Sequence, residues 1–337
     1  MLSRLRAWWL FRQSVAAARA ARPSRELHAQ QGPCGQDPAG GRDIVLLPCW
    51  RRPEFLWHCL DNLTRAEGIA ALHVVLRPDT GFAADTLEVI RAFADRLASF
   101  EIQFPTPCPY RRSKQSANVL LGYLLAAAAA RQYVFMIEED VMVARDFFRW
   151  HRAVQASSTE LFCSIGVRNP NRRLALPDDT EGYYLSSGDY CSLGVCFDKR
   201  ILHRLVAPHV NMAYLRRPKS YIRRRFRASV VAAGFTEQDG LLRRIQEGSG
   251  LSIAYPCLPR AYHAGFYGYH RPGGLDGPLA ERVRSLAQII YSTEGMSKAA
   301  LRPEYIEDSV PVNLQPPPWR VQRQMPVPGQ VGVPGLN

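Results

Sequence analysis

The apolar positions between residues 43 and 137 follow two periods. "DIVLLP" (43–48), "LHVVLRP" (72–78), "FEIQFP" (100–105) and "YVFMI" (133–137) are short, largely apolar runs of strand length. Between them the spacing turns helical. In "PEFLWHCLDNLTRA" Phe55, Leu56, Cys59, Leu60 and Leu63 fall on one face, and "TLEVIRAFADRL" and "QSANVLLGYLLAAAAARQ" predict two more helices. Strands alternating with helices of about ten or more residues predict an α/β fold, an open and mostly parallel sheet flanked by helices on both faces.

The ends depart from this pattern, so residues 42–300 are expected to form one domain between two tails. Residues 1–41 begin "MLSRLRAWWLFRQSVAAARAARPSR", a basic run whose apolar part is too short to span a bilayer. It reads as a flexible arm, a segment lying on a membrane surface, a targeting segment or an over-long start. Residues 301–337 are rich in proline and glycine, with no period, and little fixed structure is expected there. The formal net charge of +13 is concentrated at the N-terminus and around 216–227, which implies an anionic partner. Eight cysteines without a C-x-x-C pair argue against a zinc site and give no disulfide framework; buried thiols in a reducing compartment are expected.

Chemistry enters at "YVFMIEEDVMVARDFF" (133–148), where a buried strand runs into three acids. In open α/β sheets the ligand crevice lies beyond the carboxyl ends of the strands, and Glu138, Glu139 and Asp140 stand at such an end. Side chains alternate along a strand, so Glu138 and Asp140 are expected on one side and Glu139 on the other. Three acids packed together need a cation or hydrogen-bond donors, and a divalent ion shared with a substrate's phosphates meets that need. Asp140, the last acid and nearest the crevice, is the expected metal ligand. Asp146 is expected only to cap the helix beginning "FFRWHRAV".

The same stretch resembles the metal-binding segment of GT-A (Rossmann-like) glycosyltransferases, closest to the N-acetylglucosaminyltransferase I and protein O-mannose N-acetylglucosaminyltransferase type. "LLPCWRRPEFLWHCLDNL", "VVLRPDTG" and "PCLPRAYHAGFYG" resemble further segments of that family in the same order, covering roughly residues 43 to 270. The resemblance implies Mn2+ (or Mg2+) as cofactor and a UDP-sugar as donor. It puts Asp79 at the uracil, Arg52 or alternatively Arg51 at the nucleotide, and His263 beside Asp140 as a second metal ligand. For His263, packing among Tyr262, Phe266 and Tyr267 is the competing role. Glu138 and Glu139 would accept from ribose or sugar hydroxyls, and Asn118 faces the base by position alone. In "FTEQDGLLRRIQ" the resemblance to the helix-start acid of inverting enzymes makes Asp239 the general base, with Glu237 as runner-up, each weighed against a simple helix-dipole role. The two are expected to point the same way if the segment is extended.

These readings imply an inverting transfer of a sugar, GlcNAc-like or another hexose, to a glycan or lipid-linked acceptor hydroxyl. A non-catalytic nucleotide-sugar or glycan binding protein on the same fold is the alternative. A sugar nucleotidyltransferase is disfavoured because "LLPCWRRPEF" has no glycine-rich loop. The basic run "YLRRPKSYIRRRFRAS" (214–229) would hold an anionic acceptor, touch a bilayer surface or be a solvated face. No nucleic-acid-binding signature accompanies it, so nucleic acid is not an expected partner. A cytoplasmic location is expected, either free or peripheral on the membrane.

Overall fold

The computed structural model describes residues 2–21, 41–82, 84–110, 113–167, 182–227, 237–257 and 259–263. The chain opens with helix α1 (Leu2–Ala20). The four strand-length runs then form β1 (Asp43–Cys49), β2 (Leu72–Pro78), β3 (Phe100–Ile102) and β4 (Tyr133–Met136). Between them lie α2 (Pro53–Leu63), α3 (Ala84–Ala92) and α4 (Lys114–Ala129). Pro53 opens α2, where a missing N–H costs nothing. Helix α3 stops short of its apolar pattern and is followed by a tight turn at Ala94–Arg96.

The second half supplies β5 (Val141–Val143), α5 (Phe147–Ser157), β6 (Leu161–Ile165), β7 (Tyr183–Ser186) and β8 (Val195–Asp198). The short α6 (Lys199–Ile201), α7 (Met212–Arg216) and α8 (Pro218–Arg225) follow, then α9 (Gln238–Ser249), β9 (Ser252–Pro256) and β10 (Ala261–His263). Among the described residues the main sheet runs β3-β2-β1-β4-β8-β6-β9-β7. It is parallel from β3 through β4 and between β6 and β9, while β8 and β7 run against their neighbours. The chain steps outward from β1 to β2 and β3, then returns through α4 to place β4 on the other side of β1. That reversal opens a crevice at the carboxyl ends of β1 and β4. Right-handed crossovers put α2 and α3 on one face and α4 on the other.

Helix α4 is almost wholly buried, with Leu120, Tyr123, Leu124 and Ala127 at or near zero exposure. Part of its cover is α1, whose Phe11, Val15 and Ala18 belong to the main core. Trp8 donates its indole N–H to the Tyr110 hydroxyl at 3.0 Å, and Phe11 meets the Tyr110 ring edge-on. The sequence pattern alone did not place the N-terminal segment on the domain. The described cysteines are all free, and six of the seven are buried, as expected. Residues 264–337, including the end of the expected domain and the proline-rich tail, lie outside the described residues.

A second, two-stranded sheet pairs β5 with β10 antiparallel, with His263 opposite Val141. Two glycines make room for it. A side chain at Gly166 or Gly194 would come within 2.9 Å or less of Ala261 or Phe147, and Gly194 has a φ of +65°. Without side chains, Gly166 can accept from the backbone N–H groups of both Arg260 and Ala261, at 2.7 and 3.0 Å. This seat delivers the end of β10 to the acid triplet.

Candidate active site

The acid triplet does not continue β4. A turn closes over it, with the Val141 N–H donating to the Glu138 carbonyl at 3.0 Å. The strand alternation expected for residues 138–140 therefore fails: Glu139 and Asp140 share one cation while Glu138 faces another group. That cation is Arg52, just beyond β1. Its Nε donates to Glu139 Oε1 at 2.6 Å and its Nη1 to Asp140 Oδ2 at 2.5 Å. Glu139 also accepts the Trp50 N–H at 2.5 Å on its other oxygen, so it ties the β1 and β4 ends together from a position only 3% exposed. Arg51 turns the other way, donating to the Gly81 carbonyl at 2.6 Å.

His263 reaches the same acid, with Nε2 3.3 Å from Asp140 Oδ2. The β5–β10 pairing accounts for this meeting of residues 123 positions apart. Burial would raise the Asp140 carboxyl, but His263 and Arg52 outweigh it and hold the group well below the usual carboxylate range. Its Oδ1 is buried and makes no hydrogen bond among the described residues.

On the other side of the turn, Ser192 lies 3.0 Å from Glu138 Oε1 and 3.1 Å from Asp239 Oδ2. Burial, reinforced by the charges of Asp140 and Asp239, pushes the Glu138 carboxyl up to about 8. A hydroxyl has one hydrogen to give, and a protonated Glu138 satisfies the geometry: it donates to Ser192 Oγ, which donates to Asp239. Asp239 stands in the first turn of α9 and Glu237 in the extended position just before it. The alternation that would have aligned those two acids does not apply once the helix has begun. Ser192 was missed in the sequence; the only signal there was the serine- and glycine-rich run "SSGDYCSLG".

Asp79 and Asn118 do come together, lining a small cleft shared with Thr80, Pro105, Thr106 and Lys114. Asp79 Oδ1 accepts the Thr80 N–H at 2.6 Å, and burial raises its carboxyl despite that bond and Lys114. Asn118 is held by Arg77: its carbonyl accepts from Arg77 Nε at 3.0 Å and its Nδ2 donates to the Arg77 carbonyl at 3.3 Å. The buried Arg77 also donates to Gln103.

Asp146 corrects the capping expectation. It precedes α5 but makes no side-chain cap; its Oδ2 instead accepts from Arg260 Nε at 3.0 Å in a buried ion pair. This pair fixes the segment leading into β10, and so helps aim His263.

No protein-family model matches the sequence, and no curated protein matches it. Among solved structures the chain is similar to the mannosyltransferase PcManGT from Pyrobaculum calidifontis in complex with GDP-Man and Mn2+, at 17% identity and a TM-score of 0.37, over 60% of this chain and 55% of that one. It is similar to S. aureus TarS 1-349 in complex with UDP-GlcNAc at 12% identity and 0.42, over 77% and 69%. A galactosyltransferase, LgtC, in complex with donor and acceptor sugar analogs, gives 9% and 0.45, over 76% and 98%. The chain spans about half the length of the mannosyltransferase. TM-scores below 0.5 leave the chemistry to be argued from this chain's own residues.

Proposed function

We propose that the chain is a metal-dependent, inverting glycosyltransferase of the GT-A type. It would move a hexosyl or N-acetylhexosaminyl residue, such as GlcNAc, from a UDP-sugar to a hydroxyl of a glycan or lipid-linked acceptor. One observation carries the reading: at the crevice between β1 and β4, one acid turn brings Asp140 to His263 and, on its other side, Glu138 by way of Ser192 to Asp239. These residues come from four separate parts of the chain and supply a ligand pair and a base.

The donors fit a hard divalent cation. Asp140 Oδ1 is a buried acceptor with no hydrogen bond among the described residues, and the His263 imidazole stands next to the same carboxylate. Among the described residues no three His, Cys, Asp or Glu side chains form a complete cage. One carboxylate completed by substrate phosphates suits such an ion, and a neutral imidazole is an acceptable companion ligand for Mn2+ beside oxygen donors. A bound ion would stabilise charge on the leaving diphosphate. The chain's own residues do the rest. Asp79 and Asn118 hold the base in their cleft, and Asp239 takes the proton as the acceptor oxygen attacks the anomeric carbon. The bond to UDP breaks with its electron pair leaving on the diphosphate. Ser192, donating to Asp239 Oδ2, orients that carboxylate for the task.

The test is a panel of UDP-sugars, with and without Mn2+, assayed for hydrolysis and for transfer. Turnover of one of them is expected, and Asp239→Asn should keep UDP binding while losing transfer by about two to four orders of magnitude. Unimpaired transfer by Asp239→Asn would remove it as the base. A second reading, a binding protein on this fold, has one observation in its favour: Arg52 already neutralises Glu139 and Asp140. UDP-sugar binding without turnover, with or without Mn2+, would establish it.

A further inference from the structure

We propose that the outward face of α1 docks on an anionic lipid bilayer. The helix has two uses for its apolar residues, and the fold accounts for only one. Phe11, Val15 and Ala18 are spent in the core. At roughly 100° per residue, Trp9 lies on the far side of the helix from them, with Leu5 and Leu10 to either side. Leu5, Trp9 and Leu10 are 56%, 53% and 45% exposed, and Trp8 37%. Elsewhere among the described residues the large exposed apolar side chains are just Trp57 and Phe104, far apart in sequence. Scattered exposure of that kind is ordinary; three such residues, Leu5, Trp9 and Leu10, on the outward arc of one helix are not, while Trp8 turns back to Tyr110.

Charge selects the occupant. Helix α1 contains four arginines and no acid. Arg6 and Arg12 are exposed in the same outward arc as Trp9. Tryptophan flanked by leucine and arginine suits the boundary between headgroups and acyl chains, and an acid-free surface suits anionic headgroups. A second basic surface stands on the same side of the sheet. Tyr214 of α7 packs against Ser116 of α4, the helix that α1 also covers, and the arginines of residues 216–227 project outward from α7 and α8. No helix among the described residues is long and apolar enough to cross a membrane, so α1 would lie on the surface. Tyr110, on which α1 sits, leads into the turn of α4 that lines the Asp79 cleft. Docking would therefore hold that cleft near the bilayer surface.

The test uses the full chain and vesicles of phosphatidylcholine with or without phosphatidylserine, read by co-sedimentation. Binding is expected only with phosphatidylserine and should be lost at raised salt, since the attraction is screened within a Debye length. Trp9→Ser should weaken it about tenfold or more, Leu10→Ser should act in the same direction, and Arg6→Glu with Arg12→Glu should abolish it. All four substituted positions are exposed, so melting temperature and UDP affinity should match the wild type; this separates failure of docking from failure of the proposed reaction. Absence of vesicle binding overturns the proposal. So does binding indifferent to Trp9→Ser and Leu10→Ser, which would leave it to the charge of the arginines alone. A dimer in sedimentation velocity that Trp9→Ser dissolves would make a second copy of the chain the occupant and overturn it as well.

Discussion

Two residues of the acid turn have opposite fates, and each can be read out separately. Arg52 supplies the positive charge bridging Glu139 and Asp140, and a buried acid pair that loses that bridge is costly. Arg52→Ala should destabilise the metal-free protein by about 3–5 kcal/mol. It should also increase the melting shift produced by Mn2+, because Arg52 no longer competes for Asp140 Oδ2 and tighter binding to the folded state means greater stabilisation. A Mn2+ shift no larger than that of the wild type would show that Arg52 is not a competitor. Glu138 is the reverse case, a carboxyl that burial keeps protonated. Its folded value of about 8 lies above its ordinary 4.5, so between these limits the folded protein holds a proton that the unfolded chain has released. Stability from this group is therefore complete below pH 4.5 and falls as pH rises to 8, by at most ~1.4 kcal/mol per pH unit. Urea unfolding of metal-free protein at pH 5.5 and 7.5 should show a steeper loss for the wild type than for Glu138→Gln. Parallel losses would assign the titration elsewhere.

At the scale of elements, what the sequence reveals is what a single element can encode. β1, β2 and β4 were legible because each is a buried run long enough to show its period, and β2 occupies the very residues of "LHVVLRP". The acid triplet was legible because charge following such a run has few structural explanations. The turn that carries it was not, since nothing in "EED" distinguishes a continued strand from a strand that stops; the closing bond depends on where β5 must go to pair with β10. Asp146 misled for a related reason. An aspartate before a helix is a good cap by local rules, and only the fold brings Arg260 across 114 residues to claim it. Ser192 and the glycine seat under Ala261 were invisible because their meaning lies wholly in contacts between distant segments. Asp79 and Asn118 were placed by resemblance and by position, and their cleft is made by two elements adjoining in space, the end of β2 and the start of α4.

On the scale of the whole molecule, α1 decides whether the basic N-terminus is an appendage or part of the fold, and Phe11 is the residue that tests it. Its ring is fully buried against Tyr110 and the core of which α4 is the centre. If α1 folds with the domain, Phe11→Ala removes a core aromatic and should cost about 3–5 kcal/mol of global stability. For a domain of this size that corresponds to a fall of roughly 6–20 °C in melting temperature. The loss should carry to the cleft, because Tyr110 precedes the α4 turn bearing Lys114 and Asn118, and a loosened Tyr110 leaves that turn less well held. UDP affinity should therefore weaken in Phe11→Ala, whereas it should not change in Trp9→Ser, whose side chain points away from the core. If Phe11→Ala unfolds in urea like the wild type and only its first twenty or so residues become open to protease, α1 opens on its own, at the low-stability end of the structure. The core that supports the cleft would then be complete without it.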